Sequence, residues 1–126
     1  MGKATRAAFG EALAKIGRSH ENVVVIDADL SCSTQPALFA NEFPARFLQV
    51  GIAEGNMIGV AAGMALGGMV PFAASFACFI TGRFEQIRMS VGYNNANVRI
   101  VGTHSGCGIG EDGYSQMGLE DIACLR

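Results

Sequence analysis

Val23-Val24-Val25-Ile26 constrains the fold more than any other stretch of this 126-residue chain. A run of β-branched residues with no polar member suits a strand buried on both faces, as parallel strands are when helices cover them. The run breaks at Asp27-Ala28-Asp29, with polar Ser31, Cys32, Ser33 and Thr34 behind it. Ligand sites in open α/β sheets gather at such carboxyl ends of strands.

The rest of the chain repeats that pattern. Thr5 to Ile16 carries Phe9, Leu13 and Ile16 at helical spacing, which predicts an amphipathic helix ended by Gly17. Pro36 to Phe39 starts a short helix that Phe43-Pro44 breaks, and Phe47-Leu48-Gln49-Val50 reads as a second strand. Met57 to Leu66 is a helix of small residues stopped by Gly67-Gly68, and Met69 to Ala73 is a third strand. Phe76 to Ser90 contains a helix with Phe84, Ile87 and Val91 at its later spacing, Val98 to Gly102 is a fourth strand, and Gly118 to Leu125 is helical. Alternating helix and strand predict an α/β fold, a parallel β-sheet with flanking helices. Residues 1–126 read as a single domain, and the end at Arg126, where another strand is due, suggests one cut short and incomplete at the C-terminus.

Composition narrows the possibilities. Half the residues are apolar and only 16% are charged, so part of the outer surface is expected to be apolar and covered by another chain. A formal charge of −2 offers no basic field for nucleic acid. The longest apolar stretch, Met57 to Ala77, is broken by Gly59, Gly63, Gly67, Gly68 and Pro71, so no membrane partner is expected. Cys32, Cys78, Cys107 and Cys124 are widely spaced without a CxxC pair, as reduced thiols of a cytoplasmic protein are.

Several residues could carry chemistry. Glu54 is a carboxylate at the start of an Ala- and Gly-rich helical stretch, with no opposite charge nearer in sequence than Arg46 and Arg83. It is either a helix-start acid at the surface, which the local pattern favours, or a buried acid with a chemical task. His104 is either a strand-end histidine tied to backbone or a donor to a substrate oxygen or phosphate. Phe72, Phe76 and Phe79 read as core, yet Phe76 and Phe79 fall where a strand hands over to a helix and could stack on a ligand ring. The loop Thr103 to Gln116 has Gly106, Gly108 and Gly110 but not the spacing of a dinucleotide fingerprint, and it reads as a substrate-facing loop. No metal-ligand cluster forms around His104, and no serine-hydrolase elbow is present.

Taken in series, Ala4-Thr5-Arg6, Asp27-Ala28-Asp29-Leu30, Gly51-Ile52-Ala53-Glu54-Gly55-Asn56-Met57, Phe76-Ala77-Cys78-Phe79, Thr103-His104 and Gly110-Glu111-Asp112-Gly113 resemble the transketolase family of thiamine-diphosphate enzymes. The likeness is to the pyrimidine-binding domain and runs in order along nearly the whole chain. It implies that Glu54 hydrogen-bonds N1′ of the cofactor's aminopyrimidine and so promotes loss of the thiazolium C2 proton. A carboxyl group withdrawn from water and from cations suits that task. The resemblance further implies that Phe79 stacks on the aminopyrimidine with Phe76 beside it, and that Asp29 lies near the thiazolium. Arg6, Ser33 and His104 correspond to residues that hold a sugar phosphate, with Glu54 and His104 as the catalytic residues, and Asp112 to one that contacts a donor-sugar hydroxyl. The implied reaction moves a two-carbon ketol unit between sugar phosphates, as in pentose-phosphate metabolism.

The pattern has departures. Gln116 stands where the family has a substrate-contacting histidine, and glutamine can share a hydrogen bond but not carry a proton. Gly55 replaces a larger polar residue, and Gly82 an aromatic found in some members. A Gly-Asp-Gly motif with a following asparagine, which holds Mg²⁺ and the diphosphate in the family, is missing; Glu111-Asp112-Gly113 lies in the wrong context. The resemblance therefore implies no metal on this chain, a diphosphate-binding domain or subunit as partner, and a homo- or hetero-oligomer. Alternatives are a subunit like deoxyxylulose-phosphate synthase or a dehydrogenase E1 component, or a non-catalytic interaction module of the same fold.

Overall fold

The computed structural model describes residues 2–126. Its core is a parallel sheet of β1 (Val23–Asp27), β2 (Phe47–Gln49), β3 (Val70–Phe76) and β4 (Arg99–Thr103), in the order β2-β1-β3-β4. All residues of β1 are buried, as its β-branched run requires. Side chains alternate across the sheet. Val23 and Val25 pack with Leu13 of α1 (Thr5–Ser19) and Phe39 of α3 (Ala37–Glu42) on one face. Ile26 packs with Met57 and Ala61 of α4 (Glu54–Leu66) and with Ala73 on the other. Each such side chain, fully withdrawn from water, contributes roughly 1.5–3 kcal/mol.

The expected elements form, with informative differences at their ends. Gly17 does not end α1 but lies buried inside it, because the helix presses on two rings there. A Cβ at Gly17 would stand 2.5 Å from Cε2 of Phe39 and 2.7 Å from Cε2 of Phe43. The helix runs to Ser19, and Arg46 holds its end. The Arg46 guanidinium donates to the carbonyls of Gly17 at 2.7 Å, His20 at 2.8 Å and Val23 at 3.3 Å. It also lies 4.1 Å from the Phe43 ring centroid.

β3 extends beyond Ala73 to Phe76, since it has partners on both sides that far. Ala74 pairs with Asp27 of β1 and Val101 of β4, and Phe76 pairs with Thr103. Pro71 pairs with Val24 before the β4 register begins at Phe72, a strand position where proline is tolerated. The helix expected over Phe76 to Ser90 is divided at Gly82. It becomes α5 (Ala77–Thr81) and α6 (Phe84–Gln86), the latter running into a wide π-type turn over Ile87–Gly92. A short helix not anticipated, α2 (Ser31–Thr34), follows β1.

The last helix, α7 (Asp121–Leu125), starts later than Gly118. Gly118 is instead a buried contact point that accepts from the Gly106 amide at 2.8 Å, and a Cβ there would lie 2.7 Å from Cβ of Ala77. Among the described residues no helix is long and apolar enough to cross a membrane.

Candidate active site

Parallel strands all end on one edge of the sheet, and the candidate residues gather along it. β2 is followed by a turn in which Gly51 takes a φ of +73°, and α4 then begins at Glu54. Glu54 thus sits at a helix start, as its local pattern suggests, and is also buried, at 5% exposure. Its Oε1 accepts a hydrogen bond from Ser75 Oγ at 3.1 Å, which leaves Oε2 for a second partner. Among the described residues no lysine, arginine or histidine forms an ion pair with it.

Beside it, the end of β3 delivers Phe76 and the first turn of α5 delivers Phe79. Their rings are nearly parallel, 12° apart in plane with centroids at 5.8 Å. The other flank of Phe76 meets the His104 ring at 4.3 Å between centroids. Phe76 is therefore wedged between the half-buried Phe79 and His104, which directly follows β4.

His104 is held in an uncommon backbone conformation, φ +55°. Its Nδ1 lies 2.9 Å from Thr103 Oγ1 and its Nε2 lies 3.4 Å from Arg6 Nη1. A guanidinium only donates, so Nε2 is the acceptor and Nδ1 carries the proton that Thr103 receives. Burial, then the neighbouring Arg6 charge, push the His104 pKa below its ordinary value, against a smaller opposing pull from Asp112. Arg6 also donates to the Ser33 carbonyl at 3.2 Å, which ties the start of α1 to α2.

Arg6, Ser33, Phe76, Thr103, His104 and Asp112 all line one open cavity of about 700 Å³. Five residues singled out in the sequence thus share a wall, and the Phe76 ring in it also stacks on Phe79. Glu54 and three others do not line it. Asp29 is exposed in a left-handed turn with φ +65°. Phe79 lies behind Phe76, and Gln116 sits in the 3-10 turn Tyr114–Gln116, also away from the cavity wall.

Sequence reasoning overlooked Ser75, Asp27 and Gln49. Ser75 reads as an unremarkable small residue in an apolar strand, and only folding sets it against Glu54. Asp27 is fully buried, and its Oδ2 accepts from Gln49 Nε2 at 2.7 Å and from the Leu30 amide at 2.9 Å. The signal available was an acid directly after an apolar run, but the neighbouring Asp29 drew the attention. Among the described residues no group of three histidine, cysteine, aspartate or glutamate side chains is placed to hold a metal ion.

Comparison with known proteins places this arrangement. Residues 1–126 match the family described as transketolase, pyrimidine binding domain. A transketolase C-terminal section from Methanocaldococcus jannaschii is 54% identical over 125 residues, 98% of this chain and 40% of that protein. The Homo sapiens transketolase is 45% identical over 124 residues, 98% of this chain and 20% of the relative. A solved split-gene transketolase, described as an inactive β4 tetramer, matches with a TM-score of 0.84 at 47% identity, covering 99% of this chain and 40% of that one. The Campylobacter jejuni transketolase structure matches with a TM-score of 0.86 at 26% identity, covering 95% of this chain and 19% of that one.

Proposed function

The chain belongs to the transketolase family through its pyrimidine-binding domain, and from that premise we propose that it forms the pyrimidine-binding part of an enzyme transferring two-carbon ketol units between sugar phosphates. The observation that carries this reading is the buried Glu54 carboxyl, fixed by Ser75 at one oxygen and free of any cation. Thiamine diphosphate supplies the carbanion chemistry when bound, and the protein's part is orientation and electrostatics.

The residues present fit that cofactor. Glu54 offers one carboxyl oxygen to a ring nitrogen and can hold or share the proton there. Phe79 offers a ring face beside it, braced from behind by Phe76. Across Phe76, Arg6 supplies hydrogen-bond donors and positive charge for a sugar phosphate, with His104 beside it, and Asp112 an acceptor for a hydroxyl. The neutral His104 imidazole is suited to accept a proton from a substrate hydroxyl. Asp29, just after β1, is assigned to the thiazolium side, and Gln116 to the substrate.

This chain spans 40% or less of the length of the relatives described above, and a diphosphate with its Mg²⁺ is assigned to another domain or subunit. An oligomer with that partner is the proposed working form. The solved split-gene relative, inactive as a β4 tetramer by its own description, supports the need for a partner. The free thiols support a reducing, cytoplasmic setting. The test is to combine the protein with a diphosphate-binding partner and assay ketol transfer from xylulose 5-phosphate. Transfer that requires both thiamine diphosphate and Mg²⁺ is expected; silence with every partner and donor would overturn the proposal in favour of a non-catalytic module.

A further inference from the structure

Two loops carry the residues assigned to the cofactor: the one after β1 with Asp29, and the one after β2 that leads into Glu54. Their geometry is set by side chains that touch no ligand. Asp27, the last residue of β1, accepts at Oδ2 from the Leu30 amide at 2.9 Å and from Gln49 Nε2 at 2.7 Å. Gln49, the last residue of β2, uses its Oε1 in turn to accept from the Asp29 amide at 2.8 Å and the Gly51 amide at 3.0 Å. Gln49 thereby bonds to the loop after each strand, and Asp27 holds the Gln49 side chain in place while bonding to its own loop. Both contain a residue in the left-handed region, Asp29 at φ +65° and Gly51 at φ +73°, so the network holds the chain where it turns most sharply.

Asp27 is costly where it stands. It is fully buried, and its Oδ1 has no hydrogen-bond partner among the described residues. An unsatisfied buried oxygen destabilises a fold, so packing does not account for an acid here. What the position requires is an acceptor that serves both the Leu30 amide and the Gln49 side chain, and a carboxyl or carboxamide oxygen meets that need. Burial also raises the Asp27 pKa, against the Gln49 hydrogen bond and the nearby backbone amides, the Leu30 amide first, which fits a side chain used for its shape more than for its charge.

We propose that Asp27 and Gln49 are a positioning pair that locks the Asp29 loop to the Gly51–Glu54 loop and so sets where Glu54 meets the cofactor. The link to the cofactor rests on the function proposed above; the mechanical coupling does not. Placement matters at this precision, since misplacing a catalytic group by about 1 Å can cost on the order of a hundredfold in rate.

The test compares Asp27→Ala, Asp27→Asn and Gln49→Leu in the full-length protein carrying these residues, with two readouts. The first is amide hydrogen exchange over residues 27–31 and 49–55. Asp27→Ala should speed exchange in 49–55 and Gln49→Leu in 27–31, each by about tenfold or more, while Asp27→Asn, which keeps the acceptor, stays within about threefold of wild type. Faster exchange confined to the mutated segment, or Asn as damaging as Ala, overturns the pair. Gln49 is exposed, so its variant remains informative if Asp27→Ala fails to fold.

The second readout is deuterium exchange at C2 of thiamine diphosphate in the assembled enzyme. Both single variants and the double variant Asp27→Ala/Gln49→Leu should slow it to a similar extent, as residues acting as one unit do. Multiplying losses would contradict a shared role. A wild-type assembly that exchanges no C2 proton would contradict the functional reading, while amide exchange would still decide the pair.

Discussion

Burial lifts the Asp27 carboxyl above its ordinary value, with the Gln49 hydrogen bond and then the nearby backbone amides pulling against it. Between the unfolded and folded pKa the folded chain therefore binds more protons. The sign of the linkage follows: this residue's contribution to stability falls as pH rises from the ordinary carboxylate value through the folded one. Compared with Asp27→Asn, which does not titrate, the wild type should gain thermal stability as the pH is lowered from about 7 to about 4, a comparison that calorimetry makes directly. At His104 the shift is downward, from burial and then from Arg6. An NMR titration should place its pKa below the ordinary value and find it higher in Arg6→Gln. The same substitution removes a charged donor from the cavity. Losing a charged hydrogen bond of about 1.5–3 kcal/mol should raise KM for a sugar phosphate roughly ten- to a hundredfold. At this scale the sequence was informative only in combination. Glu54 alone reads as a helix-start acid, and Phe76, Phe79, Arg6 and His104 recast it. Ser75 and Gln49 gave no local signal because their partners lie 21 and 22 residues away.

At the scale of elements, glycine shows why boundaries are harder to read than centres. Gly17 looks like a helix stop, yet its missing side chain makes room for the Phe39 and Phe43 rings. Gly17→Ala should raise helix propensity but crowd those rings more than that gain offsets, for a net cost of about 1–3 kcal/mol; a lowered melting temperature checks it, and an unchanged or raised one would contradict the close packing. The strands were legible at their centres, since a β-branched run can be satisfied only by burial on both faces. The end of β3 was not, because Ala74, Ser75 and Phe76 stay in the sheet through pairing with β1 and β4, and sequence-distant pairing leaves no periodic trace. The division of the helix after Phe76 follows Gly82, whereas the spacing of Phe84, Ile87 and Val91 suggested continuity.

For the whole molecule, the low charge content finds its counterpart in an apolar exterior. Ile52, Tyr93, Tyr114 and Ile122 are 84%, 81%, 81% and 75% exposed, more large apolar surface than a lone domain usually presents. The fold and the shared edge of the sheet were legible from alternating helix and strand, while the contacts of Phe76 with both Phe79 and His104 required the packed structure. Under the proposed function, Glu54, buried at the start of α4, activates thiamine diphosphate in a site that a partner completes. The rate of deuterium exchange at C2 of the cofactor, followed by NMR in the assembled enzyme, tests this most directly. Glu54→Gln, which keeps the shape and removes the acid, should slow the exchange by about a hundredfold or more. Exchange as fast as in the wild type would contradict the account.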